Sequence, residues 1–418
     1  MSHRLLPTAA LALLLAACAT DGGQREREKD TPRDAGPPSM NVSQVHDEAI
    51  TIDSHVDIPP SYATEEYDPA ADGPLQVDLP KMREGGLDAV FFIVYVGQGP
   101  LGEDGYEQAY AAAIEKFDAI HRQSALYGDQ IAIALGPEDV RAHVAAGRLA
   151  AMIGVENGYP VGEDLYTIDE FYQRGARYMS LTHAGDNQFA TSSTPRGQLL
   201  DEKTAESGLS DLGRSAVQRM NDLGMMIDVS HASKASTLEI VGLSRAPVIA
   251  SHSGVRALND VPRNLSDEEL QAIAEKGGVV QIVAFDTYLK TPSPEKVKVI
   301  SEVRREFFEN PDRTEEPTYA DYLAFQAEVL ERTADYPRAG VNDLVDHIDY
   351  AVALIGIDHV GISSDFGGGG GIAGWETAAE TENVTKELVR RGYSQDQINK
   401  IWGGNLLRVW AEVEAAAD

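Results

Sequence analysis

Seven acidic and imidazole side chains in this chain each follow a short apolar run. They are His55, Asp57, Glu156, His183, His231, His252 and Asp365. The runs are rich in Val, Ile and Met, which is typical of buried parallel strands. Imidazoles and carboxylates are common ligands of catalytic metal ions, and such groups also transfer protons. The set is large enough for two divalent metals and a proton-transfer group, so we predict a hydrolase.

The spacing of these residues adds to the prediction. His55 and Asp57 are two positions apart, and alternate residues of a strand project to the same side, so both can reach one ion. A single histidine after an apolar run is more often a satisfied core histidine. Joint placement at the ends of six strands is what favours a metal site. The remaining histidines lack this placement, and we assign none of them to a metal.

Eight strand candidates alternate with helical patterns along the chain. They lie near 50–55, 89–96, 149–155, 177–182, 225–230, 247–251, 278–285 and 358–363. This alternation predicts an α/β fold, a (β/α)8 TIM barrel whose catalytic mouth lies at the carboxyl ends of the strands. A short extra strand and helix are expected near 131–146. Ser266 with Glu269 predicts a capping box, and Asp211 is a candidate cap for the helix that follows it.

Residues 286–340 separate the seventh strand from its helix. They contain two helical patterns, 295–308 and 319–333. An insertion at this point lies over the mouth of a barrel. It is interpreted either as a lid or substrate-selecting wall, or as a dimer contact or decoration. The glycine run 367–371 lacks any phosphate-binding spacing, and we expect it to form a mobile loop beside the site.

The amino-terminal segment has the features of a secretory signal. Residues 1–17 contain Arg4 and a short apolar core, and the sequence LAAC ends at Cys18. LAAC resembles a bacterial lipobox, in which the cysteine becomes the first mature residue and carries lipid. An ordinary signal peptide with an unrelated cysteine is the alternative. By analogy with proteobacterial lipoproteins, Ala19 after the cysteine favours the outer membrane, facing the periplasm.

The rest of the chain divides into a tether and a domain. Residues 18–42 are polar and rich in Gly and Pro, so we expect a flexible tether, followed by a catalytic domain over 43–418. The chain has 35 Lys and Arg against 67 Asp and Glu, a net charge of −32. That charge argues against nucleic acid and anionic lipid surfaces as partners. Contact with a membrane is expected through the lipid only.

Several motifs occur together in one order between residues 46 and 410. They are SHVD, GVENG, LTHAGDNQFA, IDVSH, ASHSGVRAL, PRNLSDEEL and DHVGISSDF. This series resembles the membrane dipeptidase (renal dipeptidase) family, peptidase M19, of the amidohydrolase superfamily. The pair SHSG and PRNL is specific to the resemblance, whereas the HxD spacing is not. The resemblance implies zinc-dependent hydrolysis of dipeptides by a metal-bridged hydroxide.

The resemblance also implies roles for individual residues. Two zinc ions are expected, the first held by His55 and Asp57, the second by His231 and His252, with Glu156 bridging both. His183 would polarise the scissile carbonyl, and Asp365 would shuttle the proton. Arg263 would bind the terminal carboxylate of the peptide, and Tyr288 would assist it.

This chain departs from the family in two ways, and other functions stay open. Gly367 stands where the family commonly has an aspartate. The single cysteine excludes internal disulfides, and no hydrophobic tail is present, so Cys18 would provide the anchor. The alternatives are hydrolysis of another amide, such as an N-acyl amino acid, a lactam or a peptidoglycan fragment, and an inactive peptide-binding lipoprotein. A homodimer is also open.

Overall fold

The structure is a computed structural model that describes residues 40–195, 208–308 and 318–418. These residues belong to one unit, Met40–Asp418. The predicted signal peptide, Cys18 and most of the predicted tether lie outside the described residues. No helix within the described ranges is long and apolar enough to span a membrane.

Eight parallel strands form the barrel. In spatial order they are β1 (Ile52–Asp57), β2 (Ala89–Tyr95), β4 (Leu149–Glu156), β5 (Ala176–Ser180), β6 (Met226–Asp228), β7 (Ile249–Ser253), β8 (Val279–Val283) and β9 (Val360–Ser363). The first and last strands meet through a parallel bridge between Val56 and Phe366, where the N–H of Asp57 donates to the Phe366 carbonyl at 2.8 Å. The predicted barrel is confirmed. The extra strand β3 (Ile131–Ile133) pairs with the first residues of β4.

Helices follow the strands around the barrel. They are α1 (Val42–Asp47), α2 (Leu79–Gly85), α3 (Glu103–Leu126), α4 (Pro137–Ala145), α5 (Tyr166–Gln173), α6 (Asp211–Leu223), α7 (Lys234–Leu243), α8 (Asp267–Glu275), α9 (Asp286–Leu289), α10 (Pro294–Phe308), α11 (Tyr319–Arg332), α12 (Val341–Ile355), α13 (Glu382–Arg391), α14 (Gln395–Asn399) and α15 (Asn405–Ala415). The capping box of Ser266 and Glu269 is present at α8. The predicted cap of α6 is wrong, because Asp211 is already helical. Ser210 has extended backbone and accepts from the N–H of Gly213.

Alternate strand residues divide the core into two layers. One set, which includes Phe91, Met152 and Ile249, points into the barrel and packs with Leu407 and Trp410 of α15. The other set points outward and packs against the surrounding helices. Residues of α15 contact the segments that precede the strands: Asn405 donates to the Ile357 carbonyl, and Arg408 to that of Gly277. Since α15 closes the amino ends, the open mouth lies at the carboxyl ends of the strands.

The insertion after β8 is fastened at its base by Asp286. Its Oδ2 binds Nζ of Lys296 at 2.6 Å, and its Oδ1 accepts from the N–H of Ala339 at 2.7 Å. The same ammonium donates to the Pro337 carbonyl at 3.0 Å. These bonds join the beginning and the end of the insertion. Its two predicted helices are α10 and α11, and they agree with the prediction to within about one residue at each described end.

Candidate active site and metal centre

The structure gathers all seven candidate side chains at the carboxyl ends of the strands. A cavity of about 420 Å³ opens there, a size that suits a small ligand. Its lining includes Asp57, Glu156, His183, His231, His252 and Asp365. His55 is fully buried beneath them, with Nε2 3.6 Å from Oε2 of Glu156. Residues from six strands therefore face one small space.

The first strand reaches the site through an irregularity in its pairing. The register of β1 on β2 shifts between Asp53 and Val56, and such bulges re-aim side chains beside active sites. His55 Nε2 lies 3.5 Å from Oδ2 of Asp57. The carboxylate of Asp53 accepts from the N–H of His55 at 3.2 Å and of Ser364 at 3.0 Å. Asp53, which the sequence analysis did not single out, thus fixes β1 against the segment that carries Asp365.

Glu156 faces a histidine on each side. Its Oε2 points toward His55, and its Oε1 lies 3.0 Å from Nε2 of His231 and 3.2 Å from Nε2 of His252. The two Nε2 atoms are themselves 2.9 Å apart. Zinc bonds of about 2.0–2.1 Å in tetrahedral geometry place ligand atoms about 3.3 Å from one another. The second group of ligands therefore fits a metal ion by its spacing.

Buried partners orient two of these imidazoles. Nδ1 of His55 lies 3.0 Å from the Tyr178 hydroxyl, which donates its own proton to the Ser54 carbonyl. The hydroxyl must therefore accept from Nδ1–H, which leaves the Nε2 lone pair facing Glu156. Tyr178 was not found from the sequence, because it lies 123 residues from His55 and its run carries no polar signal.

His252 is oriented in the same manner. Its Nδ1 lies 2.8 Å from Oγ of Ser251, and that hydroxyl donates to Oδ2 of Asp228 at 2.6 Å. The serine then accepts from Nδ1–H, so Nε2 again presents a lone pair to the site. The serine before His252 and the aspartate in IDVSH were visible in the sequence, but their contact depends on β6 and β7 being neighbours.

Burial and charge act against each other across the site. Burial raises the pKa of the Asp365 carboxyl well above its usual value, although His55 opposes the shift. Burial also disfavours charge on Glu156, yet His55 and His183 hold its pKa well below the usual value. Burial, together with Arg263, lowers the pKa of His231. Burial lowers the pKa of His252 in the same way. The neutral imidazoles of His231 and His252 beside an ionised, buried carboxylate are a donor set that suits a divalent cation.

The backbone is strained at the site. Asn157, His231 and Asp365 have φ of 77°, 66° and 60°, and they are three of the four described non-glycine residues in the left-handed region. Such conformations concentrate where surrounding structure forces a functional geometry. The glycine loop helps to hold Asp365 in this conformation, because the Asp365 carbonyl accepts from the N–H of Gly370 at 2.8 Å.

The glycine run has a steric explanation. A Cβ at Gly367 would lie 2.3 Å from the Asp57 carbonyl oxygen, and one at Gly368 would lie 2.3 Å from Oδ1 of Asp365. The chain therefore passes too close to both carboxylates for any side chain. This close approach, together with the φ of 77° at Gly367, favours glycine at the position where the resemblance led us to expect an aspartate. The side chain of Gln76 also holds the loop, because its Oε1 accepts from the N–H of Gly367 at 2.9 Å.

Arg263 lies at the edge of the site rather than in the lining of the cavity. Its side chain is buried and donates to Oγ of Ser253 at 3.0 Å and to the His252 carbonyl at 2.7 Å. Its guanidinium is 5.6 Å from the ring of Tyr288, which does line the cavity. Nε has no acceptor among the described residues. The nearby carboxylate of Asp267 does not pair with Arg263; it accepts from the Tyr350 hydroxyl.

His183 and the insertion complete the walls. The centre of the His183 ring lies 4.2 Å from that of His231, with the rings tilted by 39°, and its Nδ1 lies 3.4 Å from the Tyr95 hydroxyl. The insertion adds a wall of mainly aromatic residues that consists of Tyr288, Arg304, Tyr319 and Tyr322, next to Phe285 at its start. Of the two interpretations of the insertion, this placement favours the substrate-selecting wall.

Comparison with known proteins agrees with this geometry. A family model described as membrane dipeptidase, peptidase family M19, matches residues 40–418. The chain belongs to the membrane dipeptidase family. Dipeptidase aclJ of Aspergillus oryzae is 31% identical over 82% of this chain and 71% of its own length. Dipeptidase tcpJ of Claviceps purpurea is 30% identical over 84% of this chain and 72% of its own length.

Solved structures show the same architecture. The probable dipeptidase PvdM of Pseudomonas aeruginosa is 36% identical and superposes with a TM-score of 0.80, covering 90% of this chain and 98% of its own. A metallo peptidase of Rhodobacter sphaeroides, liganded with a phosphinate mimic of L-Ala-D-Ala, is 23% identical. Its TM-score of 0.69, over 88% of this chain and all of its own, shows the shared fold. Membrane dipeptidase family membership makes the chain a hydrolase of the metallopeptidase type.

Proposed function

We propose that this protein is a two-zinc dipeptidase that requires a free carboxylate on its substrate. The observation that carries the proposal is the position of Glu156, whose two carboxylate oxygens face different histidines. A carboxylate so placed can bridge two cations. His55 and Asp57 would hold the first ion, and His231 and His252 the second. Two zinc ions bound there would supply an activated water at neutral pH and a Lewis acid for the peptide carbonyl.

Two side chains of the protein would then assist separate parts of peptide hydrolysis, proton transfer and stabilisation of the carbonyl oxygen. One carboxylate oxygen of Asp365 lies within 4.8 Å of a ligand atom of His55 and of Asp57. Asp365 is therefore close to the position that an attacking water would occupy. As a carboxylate it can accept the proton of that water and pass it to the leaving amine. His183, on the opposite side of Glu156, can donate a hydrogen bond to the carbonyl oxygen as negative charge develops.

Arg263 supports the restriction to short peptides with a free carboxyl end. A guanidinium is always charged and offers a planar array of donors that matches a carboxylate. Its Nε–H lacks an acceptor among the described residues, and Tyr288, whose ring is 5.6 Å from the guanidinium, lines the cavity. A carboxylate bound here would lie close to the ligands of the second ion, because Arg263 donates to the carbonyl of His252. The scissile bond would then be the last one of the peptide.

The test is an assay of the purified chain in its metal-free and zinc-loaded forms. We expect hydrolysis of simple dipeptides to rise with bound zinc up to two ions per chain, and the carboxyl-terminal amides of the same dipeptides to react poorly. Full hydrolysis without metal would contradict the proposal. Hydrolysis of N-acyl amino acids, lactams or peptidoglycan fragments, but not of dipeptides, would support the other amide substrates. Binding without turnover would support an inactive peptide-binding protein.

We propose further that the protein is a lipoprotein of the outer membrane, facing the periplasm. The support is in the sequence: LAAC ends in Cys18, the one cysteine of the chain, and a polar segment follows it. Such a segment can act as a tether between a lipid and the barrel. The protein would then act on small peptides within the reach of its tether.

A further inference from the structure

Lys116 is a cation in the cavity that the proposed mechanism does not use. It extends from α3, is half-buried and lines the same cavity as six of the seven candidate residues. Its Nζ lies 5.8 Å from the centre of the Tyr95 ring. Among the described residues, no carboxylate oxygen lies within 4.0 Å of that Nζ. Lys296, the buried lysine of the insertion, is by contrast paired with Asp286.

A lysine without a carboxylate partner in the described ranges is notable in a chain with a net charge of −32. Burial lowers the pKa of Lys116, while Asp57 and Glu156 oppose the shift from beyond ion-pair distance. An anion that entered the cavity beside Lys116 would therefore stabilise its ammonium form. Asp57 and Glu156 cannot serve as that anion without leaving their positions as candidate metal ligands.

The position of Lys116 indicates which part of a dipeptide it would meet. Lys116 lies against Tyr95 at the end of β2, and Arg263 is bonded to Ser253 at the end of β7. In the eight-strand order, β2 and β7 are four places apart, so they are on opposite sides of the barrel. A dipeptide with its carboxylate near Arg263 would cross the mouth and place its amino-terminal residue toward Lys116.

We propose that Lys116 binds the acidic side chain of the amino-terminal residue and gives the enzyme a preference for dipeptides that begin with aspartate or glutamate. The inference rests on the proposed function, since it assumes a dipeptide oriented by Arg263. The amino group of the same residue would lie nearer the carboxylates of Asp57 and Asp365. The two ends of an acidic first residue would thus meet groups of opposite charge.

The experiment compares aspartyl-alanine with asparaginyl-alanine, which differ only in the charge of the first side chain. We expect the zinc-loaded chain to favour aspartyl-alanine in kcat/KM by about tenfold or more, as for a charge-assisted hydrogen bond. Lys116→Met should bring the ratio close to one by slowing aspartyl-alanine alone. Lys116→Arg should restore most of the preference. Lys386→Met, an exposed lysine of α13 outside the cavity lining, is the control for net charge and should keep the ratio.

Several outcomes would overturn the inference. An equal loss for both substrates in Lys116→Met would mean that the lysine only balances charge in the cavity. An effect on alanyl-aspartate against alanyl-asparagine, but not on the first pair, would assign Lys116 to the second residue. If the wild type hydrolyses no dipeptide, the proposed function fails. In that case the Kd values of aspartyl-alanine and asparaginyl-alanine, measured by calorimetry for the zinc-loaded wild type and for Lys116→Met, test the inference. If the ratio of the two Kd values is the same in both proteins, the inference is contradicted.

Discussion

At the scale of single residues, the site depends on one carboxylate placed between two groups of imidazoles. Glu156 is almost completely buried and approaches His55, His231 and His252 within 3.6 Å. Tyr178 and Ser251 set the tautomers of two of those histidines from behind. The remaining carboxylates, Asp57 and Asp365, are close enough to share the same cation. Their different roles therefore have to be separated by mutation.

Asp365→Asn is the mutation that separates a proton shuttle from a metal ligand. An amide cannot accept a proton, so we expect kcat to fall by about 10²–10⁴-fold while both zinc ions stay bound. Metal analysis and kinetics on the same preparation provide the measurement. Loss of one ion per chain would instead show Asp365 to be a ligand, which its proximity to His55 and Asp57 would allow.

Arg263→Lys tests how the substrate carboxylate is recognised. A lysine keeps the charge but loses the planar pair of donors, so KM should rise more than kcat falls. The ratio of kcat/KM for a dipeptide over its amide should be smaller in the variant than in the wild type. Zinc content is the control, because Arg263 also donates a hydrogen bond to the carbonyl of His252, a candidate zinc ligand. If the ratio is the same in both proteins, the carboxylate is recognised by another group.

At the scale of elements, the insertion after β8 acts as a wall of the cavity that is fastened at its base. α9 provides Tyr288, α10 provides Arg304, and α11 provides Tyr319 and Tyr322. The base is held by Lys296, which is almost completely buried and binds both Asp286 and the Pro337 carbonyl. The wall should therefore lose its position when this lysine is removed, although the barrel remains.

Lys296→Met tests this dependence. We expect the free energy of unfolding to fall by about 1–3 kcal/mol, because a charge-assisted pair is lost and the Asp286 carboxylate keeps only part of its bonding. The KM of the variant for dipeptides should also be higher than that of the wild type. Lys298→Met is the matched control on the same helix, since Lys298 is exposed and pairs only loosely with Glu302 at 3.7 Å. That change should cost less than about 0.5 kcal/mol. Equal effects of the two changes would contradict the anchoring role.

At the scale of the whole molecule, anchoring and catalysis should be separable. The described unit, Met40–Asp418, contains every candidate residue of the site, whereas the proposed lipobox lies outside it. No cysteine lies within this unit, so neither its fold nor its chemistry depends on a thiol. The net charge of −32 disfavours direct binding of the protein to anionic lipid.

Cys18→Ala follows from that separation. Without the cysteine we expect the protein to leave the membrane fraction, because no other lipid attachment is proposed. The wild type solubilised in detergent and the variant should have the same kcat/KM for a dipeptide. Incorporation of radiolabelled lipid into the variant would refute the lipobox assignment. Retention of the unlabelled variant in the membrane fraction would point to another means of anchoring.

The sequence by itself determined the barrel and the end of it that carries the chemistry. Strand and helix periodicities are local properties, and eight alternations of them specify the fold. Parallel strands place all their carboxyl ends on one rim, so residues such as Glu156 and His252 had to meet there. The composition of that rim is enough to predict a metal-dependent hydrolase.

Tertiary structure alone decided how these residues are oriented and what surrounds them. The contact of Tyr178 with His55, the close approach that requires Gly367 and Gly368, and the entry of Lys116 from a helix all join distant segments of the chain. No local pattern encodes such contacts, because they depend on barrel register, strand bulges and the packing of α3. Hydrophobic periodicity specifies which face of an element is buried, whereas these polar contacts are specified by the neighbours that folding brings together.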